Sequence, residues 1–512
     1  MQIARIGHAQ LSTYCMQGEA MPSNLRCAIL PPLVSIFGLP MSDAPLHYRS
    51  ATELAGLLGR REISAVEVMK AFLARIEEVN PKLNAIVSML PVSQALAMAE
   101  AADQKLRAGD AAGILHGLPT AVKDLNDVAG LPTSRGSRAF ANRAAASKDA
   151  KFVAKLREAG ALLIGKTNTP ELGVGTLTFN EVFGVTRNPW DLSKHGGGSS
   201  GAGAAVAAGL VPLADGSDSG GSIRYPASFC NIVGLRTTPG RVPFEALGDG
   251  WTPHAVVGPM ARSSQDAALL LAAMSGPVSD GPITLDSDPR QFLKLADVDL
   301  SKVRIAWSKD ADGLPISPEI RAAYAEARAT LAGLGCQIDD VELDLSTADR
   351  AWEVIEMFGF FTDSPDEVRT NPELFRPDYV RNIKQGSTTD PVELAFGIRE
   401  RTKIFRRTAA LLQDYDLFIT PTTPVTAPPA EVEWVGEIDG TVFDRYFLWQ
   451  RLACRITMTG HPVMAMPGGF TATGMPFGLQ VVGPMRGEHN LLSFGAAIES
   501  ATSWINRRPT GV

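Results

Sequence analysis

Pro119-Thr120-Ala121-Val122-Lys123-Asp124 is a short apolar run, punctuated by Gly117 and Pro119 at its start and by Gly130 and Pro132 beyond its end. Such a run reads as a buried strand entering a loop, which puts Lys123 at a strand end. Further on, 152–159 has helical spacing, Gly160 breaks it, and Ala161-Leu162-Leu163-Ile164 is a second apolar run. Strand, helix and strand in that order form the βαβ alternation in which helices cover a sheet, so the expected fold class is α/β.

The flanking sequence fits the same plan. Upstream, Leu54, Leu57 and Leu58 follow the potential caps Ser50 and Thr52, and Val66, Val68, Met69, Phe72, Leu73 and Ile76 recur at helical spacing. These are two amphipathic helices, and a third, rich in alanine, is expected over 92–108. Downstream, helices are expected near 264–274, over 318–334, through 412 and near 490–501, with strands at 303–307, 416–420 and 478–482. No internal repeat or linker-like run interrupts the pattern, so a single domain over 41–512, with its core at about 50–500, is expected. Residues 1–40 show neither periodicity, and Met41-Ser42-Asp43 would itself make a plausible start. A loosely ordered or spurious extension is expected there.

Bulk composition narrows the function. The 512 residues are 45% hydrophobic and 20% charged, enough to bury a large core. A net charge of −7 with scattered basic residues offers no stripe for nucleic acid or an anionic membrane. Five widely spaced cysteines without a Cys-x-x-Cys pair, and no histidine spacing suited to zinc, point to a reduced, cytoplasmic, metal-free protein. The apolar run at 28–39 is short and broken by Pro31 and Pro32, so no membrane span is expected.

Two glycine-rich stretches carry the chemistry. In the first, Gly196-Gly197-Gly198-Ser199-Ser200-Gly201-Ala202-Gly203-Ala204, glycines deliver two hydroxyls to the start of a helix of small residues. A flexible linker or phosphate-binding turn is the plainer reading, but no Gly-Lys-Ser/Thr ending supports a P-loop. In the second, Asp215-Gly216-Ser217-Asp218-Ser219-Gly220-Gly221-Ser222-Ile223-Arg224, two glycines allow backbone N–H groups to converge beside the Ser222 hydroxyl. An oxyanion hole needs that convergence, although an ordinary Gly-Ser turn would look the same in isolation.

A serine hydroxyl is a weak nucleophile and needs a base in contact. None of the seven histidines lies in a Gly-x-Ser-x-Gly context. His116 and His254 read as solvated loop residues, while His195 adjoins the serine loop. Lys123 offers another route if it is buried and uncharged. Bringing its pKa from about 10.4 to near 7 takes roughly 4–5 kcal/mol of differential destabilisation of the ammonium, which burial can supply. The plainer reading of Lys123 beside Asp124 is a surface ion pair.

Together these segments resemble the amidase signature family, with Val122-Lys123-Asp124, the serine loop and Gly216-Ser217-Asp218-x-Gly220-Gly221-Ser222-Ile223-Arg224. Gly165-Lys166-Thr167-Asn168, Asn188-Pro189-Trp190-Asp191, Gly234-Leu235-Arg236, Pro239-Gly240-Arg241-Val242 and Gly258-Pro259-Met260-Ala261-Arg262-Ser263 extend the resemblance along the chain. The resemblance implies a three-layer α/β/α fold around a central mixed, many-stranded sheet. It implies amide hydrolysis of a small-molecule substrate through an acyl-enzyme, with no metal or organic cofactor.

Carried over by position, Ser222 is the nucleophile, Ser199 the bridging serine on a cis peptide bond, and Lys123 the base. Ser219, Gly220 and Gly221 line the oxyanion hole, Asp218 and Arg224 orient these loops, and Thr176 and Asn180 lie on the substrate side, although Asn180-Glu181-Val182-Phe183-Gly184 reads equally well as a structural turn. The usual loop reads Pro-Gly-Gly-Ser-Ser-Gly-Gly, and here it is one residue shorter between the first serine and the helix. Counting forward from Asn188 places Ser199 at the bridge, whereas counting back from Val206 places Gly198 there. A glycine cannot relay a proton, so Ser199 is preferred, with Ser200 as the alternative. The resemblance is compatible with a homodimer. It leaves two competing functions, the amidase component of a tRNA-dependent amidotransferase and a catalytically degenerate scaffold. Aromatics at 358, 360, 361, 446, 447 and 449 are candidates for an apolar substrate pocket.

Overall fold

The computed structural model describes residues 43–110, 112–198, 201–244, 249–251 and 254–512. The expectations for residues 1–40, and for Ser199, Ser200 and a cis bond at Ser199, lie outside the described residues. Thirteen strands are described: β1 (Ile86–Met89), β2 (Pro119–Lys123), β3 (Leu162–Thr167), β4 (Leu213–Asp218), β5 (Val233–Arg236), β6 (Val256–Ala261), β7 (Arg304–Trp307), β8 (Gln337–Asp340), β9 (Leu417–Pro421), β10 (Glu437–Ile438), β11 (Thr441–Val442), β12 (Val463–Phe470) and β13 (Pro476–Val482). Eleven of them form one sheet in the order β1-β3-β2-β4-β6-β5-β12-β13-β9-β7-β8, and β10 and β11 form a separate hairpin. β2 runs parallel to β3 and β4, and β7 parallel to β8 and β9, while the strands between are antiparallel. The sheet is therefore mixed, as the resemblance implied.

Local chemistry sets the helix boundaries. Ala65–Leu83 starts at a capping box in which Ser64 accepts from the Glu67 N–H and the Glu67 carboxylate accepts from the Ser64 N–H. It stops where Asn84 turns left-handed at φ 54°. Pro318–Gly333 begins with Pro318 behind the capping Ser317, and Pro391–Asp414 with Pro391 behind Asp390. Ala202–Ala207 is buried throughout, and a Cβ at Gly203 would stand 2.9 Å from Pro226 Cβ, so its small residues permit close helix packing.

The register of β2 against β4 positions the site. Thr120 pairs with Leu213 and Ala121 with Ala214, which sets the end of β2, with Lys123, beside residues 215–218. β2 and β4 are buried along almost their whole length, so both are held by packing on the two faces of the sheet. Across the mouth of β4, the helix Ala348–Thr362 packs on Pro377–Ser387, Pro391–Asp414 and Arg451–Met458.

Candidate active site

Lys123 has no solvent exposure. Its backbone N–H donates to Asp215 Oδ1 at 2.9 Å, and its Nζ donates to Ser217 Oγ at 2.7 Å. Burial pushes the amine down to about 7, against the opposing pull of the Asp215 and Asp218 carboxylates. The same burial raises the Asp215 carboxyl to about 6, opposed by its contacts with Lys123. The surface ion pair with Asp124 is thus corrected: Asp124 faces Lys166 at 3.3 Å, and both are buried. Lys166 Nζ also donates to Asn126 O at 2.6 Å and Thr133 Oγ1 at 2.9 Å, bracing the loop that follows β2.

Asp218 organises the turn that carries Ser222. Its carboxylate accepts from the N–H groups of Gly221 (3.0 Å) and Ile223 (3.1 Å), and bidentately from Arg224 at 2.9 and 2.8 Å. Burial alone would raise this carboxyl, but Arg224 and Arg236 outweigh it and hold it well below the usual carboxylate range. Arg224 is itself buried and donates further to Ala453 O and Thr457 Oγ1. Gly221 adopts φ 112°, and a Cβ there would lie 2.6 Å from Ala453 Cβ, so glycine is required.

The Gly221 N–H, one of the three expected at the oxyanion hole, is thus engaged by Asp218. Replacing Arg224 with methionine would leave Asp218 a buried, partly compensated charge. Such a break is expected to destabilise the fold by about 3–5 kcal/mol, read as a lower urea midpoint with unchanged slope.

Ser222 is 6% exposed and lines a cavity of about 820 Å³ together with Ser217, Asp218 and Ser219. Ile355, Phe358, Phe360, Tyr379, Leu394 and Phe405 supply much of the remaining wall. Of the expected aromatics, Phe358 and Phe360 therefore reach the cavity. Phe361 instead is exposed, and Tyr446, Phe447 and Trp449 are core residues.

Neither Thr176 nor Asn180 is among the residues that line this cavity. Thr176 Oγ1 donates to Gln450 at 2.9 Å. Asn180 donates to Asn168 and Thr169 and accepts from the N–H groups of Val182 and Phe183, so its amide closes a turn.

The histidine reading is corrected too. His116 is buried with Nε2 3.0 Å from Ala102 O, and His254 lines the cavity with its side chain only 10% exposed rather than solvated. His195 is buried with Nε2 2.9 Å from Val432 O, which assigns it to holding the loop.

Sequence reasoning missed two neighbours of the site. Ser217 follows from the parallel pairing of β2 and β4, which the motif spacing does not reveal. Glu356, whose Oε1 accepts from Ser219 Oγ at 2.8 Å, comes from a helix more than a hundred residues downstream and has no local signature.

A family model described as Amidase matches residues 67–492. An acylamidase of Rhodococcus erythropolis is 33% identical over 472 residues, covering 92% of this chain and 98% of that protein. The A component of the glutamyl-tRNA(Gln) amidotransferase of a Picosynechococcus species is 33% identical over 482 residues, covering 88% and 97%. A solved bacterial aryl acylamidase of the amidase signature family superposes with a TM-score of 0.81 at 27% identity, covering 90% of this chain and 98% of that one. A matched model across most of its length, joined to relatives aligned along nearly theirs, makes the chain a member of the amidase signature family of amide hydrolases.

Proposed function

We propose that the protein hydrolyses a small carboxamide or aryl amide to a carboxylic acid and an amine or ammonia. The observation that carries this reading is a wholly buried lysine, brought down to about 7, whose amine holds a serine hydroxyl at the edge of the cavity that Ser222 lines. Ser222 Oγ attacks the amide carbonyl while its proton passes through an intervening hydroxyl to the neutral Lys123 amine. Ser199 is the proposed relay and Ser200 its alternative. Backbone N–H groups of Ser219 and Gly220 receive the developing oxyanion. The Lys123 ammonium then returns a proton through the same hydroxyl to the departing nitrogen, and water, deprotonated by the same route, releases the acid from the Ser222 ester.

The apolar cavity wall favours an aryl or alkyl group on the substrate. The same reading takes residues 41–512 as one domain, supported by the single sheet that runs from β1 to β8. It places a homodimer in the cytoplasm, with no nucleic-acid or membrane partner.

The relationship to a component of an amidotransferase favours one second reading, in which the same acyl chemistry passes ammonia within a larger assembly. Purified chain alone should release aniline from simple anilides at rates independent of any added partner protein. Activity only toward glutamine, and only with partner proteins present, would establish the second reading instead.

A further inference from the structure

The helix Ala348–Thr362 does more than wall the cavity. Trp352 Nε1 donates to Ser219 O at 3.3 Å, and Glu356 Oε1 accepts from Ser219 Oγ at 2.8 Å, so one face of this helix fastens the proposed oxyanion turn. The other Glu356 oxygen lies 3.4 Å from His254 Nε2, with the two side chains only 12% and 10% exposed. Neither ring nitrogen of His254 makes a hydrogen bond, yet the residue lines the cavity that contains Ser222 and Glu356. Buried polar atoms are nearly always satisfied, so an imidazole left in this state on a cavity wall is shaped for a partner that arrives with the ligand.

We propose that the His254–Glu356 pair is a specificity station that selects amides bearing a second, uncharged hydrogen-bonding group, such as a hydroxyl or a carboxamide, on the arm that fills the cavity. This inference rests on the amidase reading.

Charge argues for an uncharged group. Burial raises the Glu356 carboxyl to about 7, opposed by Ser219 and Arg236, and burial with nearby Arg401 and Arg236 lowers His254 well below its usual value. Their surroundings thus disfavour the charged form of each. A charged substrate group placed there would give up its hydration beside two groups whose own charged forms burial disfavours. A neutral imidazole presents one donor and one acceptor, which suits a hydroxyl or amide. An apolar group placed there would leave the imidazole buried and unpaired, which makes discrimination by such a site strong.

The test uses matched amides that differ by one hydroxyl, placed on the acyl arm in one series and on the amine arm in the other. Wild type should prefer the hydroxylated member of one series by roughly 10- to 100-fold in kcat/KM. His254→Phe should abolish that preference while turning over the apolar member at least as well as wild type does. Wild type that hydrolyses both members of each series equally, or a His254→Phe variant that keeps the preference, overturns the inference and leaves the amidase reading intact. Wild type that hydrolyses no amide in either series overturns the amidase reading itself, and the inference with it. Should His254→Phe be inactive toward both members, Glu356→Gln, which retains an oxygen for Ser219, decides: a weakened preference supports the station and an unchanged one overturns it.

Discussion

Replacing Ser222 with alanine is expected to lower kcat/KM for amide hydrolysis by on the order of 10⁴-fold or more, the scale seen when a hydrolase loses its nucleophile. The change removes one oxygen from a residue whose neighbours are organised by Asp218 and Arg224 rather than by the serine itself. Thermal unfolding should therefore be unaffected. A fluorophosphonate should label wild type stoichiometrically and leave Ser222→Ala unlabelled, and mass spectrometry of the peptide containing residue 222 reads this directly. Labelling at another serine, with activity retained in Ser222→Ala, would move the nucleophile elsewhere.

The second large effect belongs to Lys123→Met. Methionine fills similar space without a basic amine, and kcat is expected to fall by roughly 10³- to 10⁴-fold with a smaller change in KM. Stability should move the other way. Wild-type Lys123 has its pKa lowered from 10.5 to about 7. Between those values the unfolded chain binds a proton that the folded chain releases, so this group's contribution to stability rises with pH across that window and is least favourable at its lower end. A methionine carries no such cost, and near pH 7 the variant should unfold at a temperature at least as high as wild type does. Activity lost together with stability would mean that Lys123 is a structural element.

What the sequence reveals depends on how local its signals are. β2, with Lys123 at its end, is legible because five residues lie between clear Gly and Pro boundaries. The helix at 92–108 is legible because it ends at Gly109, which turns left-handed at φ 82°. β4, β5, β6 and β12 do not read as strands, and the reason is physical. Glycine in a strand usually signals a turn, but here it permits close approach between layers. A Cβ at Gly216 would meet Ile223 Cγ1 at 2.8 Å, one at Gly234 Ile223 Cγ2 at 2.8 Å, and one at Gly258 Ile223 Cδ1 at 3.2 Å. These glycines let Ile223 and the helix Arg224–Cys230 that follows it sit close on the sheet.

The site divides along the same line. Ser222, Lys123, Asp218 and Arg224 lie within compact motifs, and the structure groups Asp218 with Arg224 and sets Lys123 beside Ser217. Asn180 stays ambiguous in sequence because an amide that closes a turn and one that binds substrate look identical there, and the structure shows the turn. His254 and Glu356 lie about a hundred residues apart and meet only through tertiary packing, so neither motif nor periodicity could pair them.

The central claim is that Lys123 is the uncharged base for Ser222, and stopped-flow measurement of Ser222 phosphonylation between pH 5 and 10 tests it most directly. The rate should rise with pH through a midpoint near 7 as the amine loses its proton. That limb should persist in Glu356→Gln, which removes the cavity-lining carboxyl brought to the same range, and vanish in Lys123→Met. A limb that disappears in Glu356→Gln, or that survives intact in Lys123→Met, would contradict the account.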